Sequence, residues 1–221
     1  MRDYDKEPIV IKDMNLLFIL LRESPLIFAC LLIAVLKPGT NILFCAILMF
    51  VPTITQYAKY KNKRLVKLTN NKIYFLQENN ELENIDLSTD FEIYKTFEPI
   101  YHKSQKLSNY NKFVHFALFP FMPLLIILGV IGKFSYYLFS RNLKEYRLFD
   151  AYLIKQDEKI INITMLNKNI QKEVDVYLKQ RIKIEPKNLK MFFDKSGYAY
   201  EKIELKGQPK LLKSVIFYFK F

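Results

Sequence analysis

Apolar residues gather in two blocks, residues 25–57 and 113–139, while the stretches between and after them mix polar and apolar positions. The first block reads PLIFACLLIAVL, then the turn KPGT, then NILFCAILMFVPTITQY. A helix lying on a protein surface shows a polar position every three or four residues. Residues 26–36 and 42–54 show almost none. This predicts a helical hairpin buried in a bilayer. Each half is shorter than the roughly 20 residues of a spanning helix, so a re-entrant loop competes with a spanning one. Lys37, at the tip, weighs against re-entry. Its charge near the bilayer centre would cost at least about 2.5 kcal/mol, whereas at the far interface it would snorkel.

Residues 15–21 are also apolar and lead into Arg22, Glu23, Ser24 and Pro25. Two readings stand. Ser24 and Pro25 form the start of a new helix, as N-cap and first helical residue, leaving residues 14–22 as a separate interfacial helix that Ile9, Val10 and Ile11 open. Alternatively, one kinked helix runs from Asn15 to Leu36. In both, Arg22 and Glu23 sit beside headgroups, because intramembrane charges are rare. The second block, FVHFALFPFMPLLIILGVIGKFSYYLF, is long enough for a third span. Pro120 and Pro123 predict a kink in it, and His115 falls at its headgroup boundary. Basic residues flank this block on both sides. A re-entrant element therefore remains the alternative, and the side of the tail stays open.

Between the blocks the period changes to two. Residues 68–76, 82–87 and 91–97 read as strands, with Asn79 and Asn80 as a hairpin turn. After residue 140 the pattern predicts hairpins across residues 151–166 and 191–205, a helix over 167–184 and a last strand over 215–221. The stretch KLTNNKIYF, residues 67–75, follows an apolar hairpin and a basic run. It resembles the opening strand pair of bacterial PH-like domains, and Ile85, Asp86 and Leu87 resemble their next strand, with Asp86 where proline is usual. The likeness covers residues 65–100 and implies a small β-barrel or sheet beside a membrane. It carries no catalytic residues.

The formal net charge is +12, with 34 Lys and Arg against 22 Asp and Glu. Abundant Lys, Asn, Ile, Tyr and Phe with only five Gly accounts for part of this as an AT-rich compositional bias. No recognition motif accompanies the charge, so nucleic acid is not an expected partner. The basic run Lys59, Lys61, Lys63, Arg64 and Lys67 follows the hairpin and is the expected contact with anionic lipid. By the positive-inside rule it places both ends of the hairpin, and the N-terminus, in the cytoplasm. The two cysteines, Cys30 and Cys45, lie in the hairpin and read as small hydrophobes. His102 and His115 lack metal-ligand spacing, and no phosphate loop or hydrolase motif is present. No cofactor, metal or catalytic residue is expected.

The sequence therefore predicts an α+β membrane protein, multipass in a bacterial inner (plasma) membrane. A transmembrane helical hairpin and a further hydrophobic helix carry small β-rich aqueous domains. Its parts are an N-terminal segment (1–24), the hairpin (25–57), a β-rich cytoplasmic domain (58–112), the third hydrophobic helix (113–139) and a β-rich C-terminal domain (140–221). The expected function is non-enzymatic: binding of a partner protein, a second copy or the lipid surface. The alternatives are an accessory subunit of a membrane transport or export complex, or a membrane immunity protein.

Overall fold

A computed structural model describes residues 2–38, 41, 44, 51, 54–96, 122–184, 190–193 and 199–203. At 22, 23, 26, 122, 123, 125 and in the last two stretches it describes the backbone alone. Strand β1 (Ile9–Lys12) pairs antiparallel with β2 (Arg64–Leu68), setting Ile9 opposite Leu68 and Ile11 opposite Val66. All four side chains are buried. Residues 9–11, expected to open a helix, thus form an edge strand. Burial alternates along them with the period of a strand.

A tight turn joins β2 to β3 (Lys72–Gln77). In it the Thr69 N–H and hydroxyl both donate to the Lys72 carbonyl, at 3.0 and 2.8 Å. The next turn, before β4 (Asn80–Asp86), is made by Glu78 and Asn79 at φ of 53° and 68°. Two successive positive φ values mark the hairpin turn whose twist matches the strands. It falls one residue earlier than the asparagine pair suggested. The first sheet is the meander β1-β2-β3-β4.

The second sheet has the order β7-β6-β5-β9-β8 and is also antiparallel. It comprises β5 (Glu92–Thr96), β6 (Ala151–Gln156), β7 (Lys159–Thr164), β8 (Lys190–Phe193) and β9 (Ala199–Ile203). The hairpins expected in residues 151–166 and 191–205 correspond to β6–β7 and β8–β9. Gln156 ties the sheets together: its amide accepts from the Asp86 N–H at 3.1 Å and donates to the Asp86 carbonyl at 2.9 Å. Helix α3 (Lys168–Tyr177) starts at Asn167, whose side chain accepts the Ile170 N–H at 2.8 Å. It runs on as a π-turn through Leu178–Ile182 and stops at Lys183, φ 55°. Both sheets and α3 bury their apolar faces in one core, which includes Val66, Ile73, Ile85, Ile93, Ile154, Ile163 and Val174.

Two longer helices stand on this core. Helix α1 (Asn15–Leu36) is continuous through Pro25. Proline has no N–H for the Leu21 carbonyl, and the Ser24 hydroxyl donates to that carbonyl at 2.8 Å instead. Ser24 therefore bridges a gap inside one helix and does not cap a second. Helix α2 (Met122–Phe139) packs along α1. α1 starts at the core, where Leu16, Phe18 and Ile19 are buried, and α2 ends there, where Lys133 and Tyr137 are buried. The two helices run in opposite directions.

The expectation of a multipass inner-membrane protein with a transmembrane hairpin and a third span is corrected here. Among the described residues no helix is long and apolar enough to cross a membrane. The physical reason lies in what each helix spends on the fold. The first turns of α1 are enclosed by protein, and adjacent charged residues, Arg22 and Glu23, follow. What remains, residues 24–36, is roughly 20 Å long, against about 30 Å of hydrocarbon. Helix α2 likewise commits Lys133 and Tyr137 to the protein interior. Cys45, His102, His115, Pro120 and the strand expected over 215–221 lie outside the described residues.

Candidate interaction surface

The outer half of α1 carries Phe28, Leu31, Leu32, Val35 and Leu36, spaced three and four residues apart on an exposed stripe. Phe28 is 70% exposed and Val35 77%. On α2 a matching stripe comprises Leu124, Ile127, Ile131 and Leu138. A contiguous apolar surface of this kind marks an interaction site far more often than a scatter of single residues.

The foot of the projection is held by polar contacts to the β core. Asp13 lies fully buried just before α1; its carboxylate accepts the Asn15 N–H at 3.1 Å and pairs with Arg64 at 3.3 Å. On α2, Lys133 donates to Asp150 at 2.5 Å and to the Leu148 carbonyl at 3.3 Å, and lies over the Phe18 ring at 5.3 Å. The Tyr137 hydroxyl donates to the Leu166 carbonyl at 3.0 Å. Burial pushes the Asp150 carboxyl above the usual carboxylate range, and Lys133 and Arg147 pull it back. Perturbed buried pairs also occur in active sites. This one is closed, Asp150 being 0% and Lys133 3% exposed, and works as a joint.

Around the same foot lie Lys12, Lys59 and Lys61, all exposed, with Tyr57 and Tyr60. Lys59 sits 4.9 Å from the centre of the Tyr60 ring, and its bond to the Tyr60 hydroxyl holds its ammonium above the usual lysine range. A cavity of about 90 Å³ opens here, lined by Lys12, Asp13, Leu16, Leu17, Tyr57, Tyr60 and Lys61 among others.

The five basic residues expected at a lipid surface are divided by the fold. Lys59 and Lys61 face outward at the foot. Lys63 pairs with Glu78 across the end of the β2–β3 hairpin at 2.7 Å, which holds the Glu78 carboxyl below its usual range. Arg64 is consumed by Asp13 and stacks on Phe75, 4.9 Å from its centroid. Lys67 lies half-buried in β2, opposite Val10 and Tyr74. Lys12 joins the outward group, and nothing in the sequence marks it, because it is one lysine in a short strand.

A second polar cluster surrounds Asn70, in the turn that carries the PH-like resemblance. Its amide donates to Asp3 and Asp5, both at 2.7 Å, and accepts from the Tyr4 N–H at 3.1 Å and from Arg181. These bonds tie the N-terminus to the end of α3. Among the described residues no group of three His, Cys, Asp or Glu is arranged to hold a metal ion. In comparisons with known proteins, the chain matches no family, no curated protein and no solved structure.

Proposed function

We propose that this protein is a non-enzymatic binding module that attaches to one face of an anionic lipid surface through the α1–α2 projection, with none of the described helices crossing it. The observation that carries the reading is the sequence of surfaces along the projection. Its outer half is apolar, with Phe28, Val35 and Leu36 exposed, and its foot is ringed by Lys12, Lys59, Lys61, Tyr57 and Tyr60. An apolar element that dips into the acyl boundary meets headgroups at its base. Lysine and tyrosine are the side chains that suit that level. Each basic residue there adds about 1 kcal/mol on an anionic surface. The resemblance of residues 67–75 and 85–87 to bacterial PH-like domains belongs to the same proposal. In support, these residues form paired strands of a β core that presents the projection.

The test is co-sedimentation of the full chain with phosphatidylcholine vesicles, with and without an anionic lipid. Binding should need both the anionic lipid and Phe28, and should weaken as salt is raised. Failure to bind either vesicle, together with self-association that Phe28→Asp abolishes, would assign the surface to a second copy and overturn this reading.

A further inference from the structure

We propose that the cavity at the foot of α1 is a phosphate-binding site, formed by Lys12 and Lys61 with the hydroxyls of Tyr57 and Tyr60. The inference rests on the lipid-attachment reading for its expected ligand, a phospholipid headgroup, and on the cavity itself for its chemistry. The cavity measures about 90 Å³, room for a phosphate group. Two lysines, Lys12 and Lys61, and two tyrosines, Tyr57 and Tyr60, are among the residues that line it. The one acidic residue in its wall, Asp13, is already neutralised by Arg64 at 3.3 Å and by the Asn15 N–H at 3.1 Å. The first turn of α1 forms another wall, through Leu16 and Leu17, and that turn contains no acidic residue. That end of the helix is already met by the Asp13 carboxylate, so the positive charge at the cavity comes from the two lysines.

Position joins the cavity to the projection. It lies beside the buried first turn of α1, on the protein side of the exposed apolar half that begins at Phe28. When the apolar half contacts acyl chains, the cavity is on the headgroup side of it. A phosphate monoester, carried by a lipid or free in solution, presents the oxygens that two lysines and two phenols satisfy.

The experiment compares the full chain with Lys12→Gln/Lys61→Gln and with a control, Lys155→Gln/Lys159→Gln, which removes the same charge from exposed positions on β6 and β7. Each is titrated with inorganic phosphate, followed by NMR of the tyrosine rings, and with phosphatidylcholine vesicles with and without phosphatidic acid. The Lys12/Lys61 variant should lose about tenfold in affinity for the phosphatidic acid vesicles and the control less than half as much on a logarithmic scale. Phosphate should shift Tyr57 and Tyr60 in the parent chain and in the control, but not in the Lys12/Lys61 variant. If free phosphate binds at these tyrosines while no vesicle binds, the cavity stands and the lipid reading falls. If the two double variants lose vesicle binding equally and phosphate moves neither tyrosine, the lysines act as diffuse charge and the proposal is overturned.

Discussion

Lys133, on α2, and Asp150, just before β6, form an ion pair with 3% and 0% of their side chains exposed. Each is the other's means of surviving burial. Losing one partner of a buried pair strands the other charge and costs about 3–5 kcal/mol, whereas replacing both with apolar residues of similar size often costs little. Lys133→Met is therefore expected to lower the unfolding free energy by that amount, and Lys133→Met/Asp150→Leu by distinctly less. Urea denaturation followed by circular dichroism reads both. Equal losses for the single and double variants would mean the pair does not act as a unit.

The Tyr177 hydroxyl donates to the Thr69 carbonyl at 2.6 Å in a buried setting, tying α3 to the β2–β3 turn. Tyr177→Phe keeps the ring and its edge-on contact with Tyr4, 4.9 Å between centroids, but orphans the carbonyl. A buried unsatisfied group costs about 1–3 kcal/mol. Tyr74→Phe, at a half-buried position on β3, should change stability by less than about 0.5 kcal/mol. Chemical denaturation of the two variants side by side tests the contrast.

Tyr137, Tyr152 and Tyr177 share a pH response. Burial pushes all three phenols well above the tyrosine range, and Asp175, which accepts from Tyr152 at 2.7 Å, pushes that one further. The folded chain keeps these protons where the unfolded chain, with phenols near 10, releases them. Stability should be level with respect to these groups below about pH 9 and fall as pH rises past the unfolded value. Alkaline difference absorbance should show these three phenols ionising only together with loss of the far-ultraviolet signal. Complete tyrosine ionisation in a chain still folded would refute the assignment.

Asp3, Glu78 and Asp86 respond in the opposite direction. Asn70 holds Asp3 low, Lys63 holds Glu78 low, and the Ser88 hydroxyl and N–H hold Asp86 low. What they add to stability is present above the ordinary carboxylate range and is lost as pH falls through their lowered values. Carboxyl NMR titration should find all three below the usual Asp and Glu values. In Asn70→Ala, Asp3 alone should move back up.

What was legible in the sequence was what local pattern decides. Apolar runs on either side of turn residues gave β6–β7 and β8–β9, and the face shared by Ile170, Val174, Tyr177 and Leu178 gave α3. Partners far apart along the chain were not legible. Ile9 and Ile11 read as helical because their pairing strand, Leu68 and Val66, lies beyond the whole apolar block. Arg64 read as a lipid contact because charge is visible in a sequence and Asp13 beside it is not. The same blindness shaped the membrane reading. Leu16 and Ile19, buried in protein, and Phe28 and Val35, exposed, look alike as letters. Pro25 resembled a helix start because nothing local shows the Ser24 hydroxyl serving the Leu21 carbonyl.

Phe28 separates the folding role of α1 from its binding role. The residue is 70% exposed, so Phe28→Asp should change the unfolding free energy by about 0.5 kcal/mol or less. A carboxylate carried into hydrocarbon costs roughly 2.5–3.5 kcal/mol at the centre and less near the headgroups. Vesicle binding should therefore weaken by about tenfold or more. Leu82→Asp provides the control: Leu82 is also exposed, at 52%, but lies on β4, away from the projection. It should leave vesicle binding unchanged. If both substitutions weaken binding alike, added negative charge anywhere on the chain is sufficient and the apolar stripe has no special part. If neither does, attachment runs through the basic foot alone, and the exposed helical stripe serves some other contact.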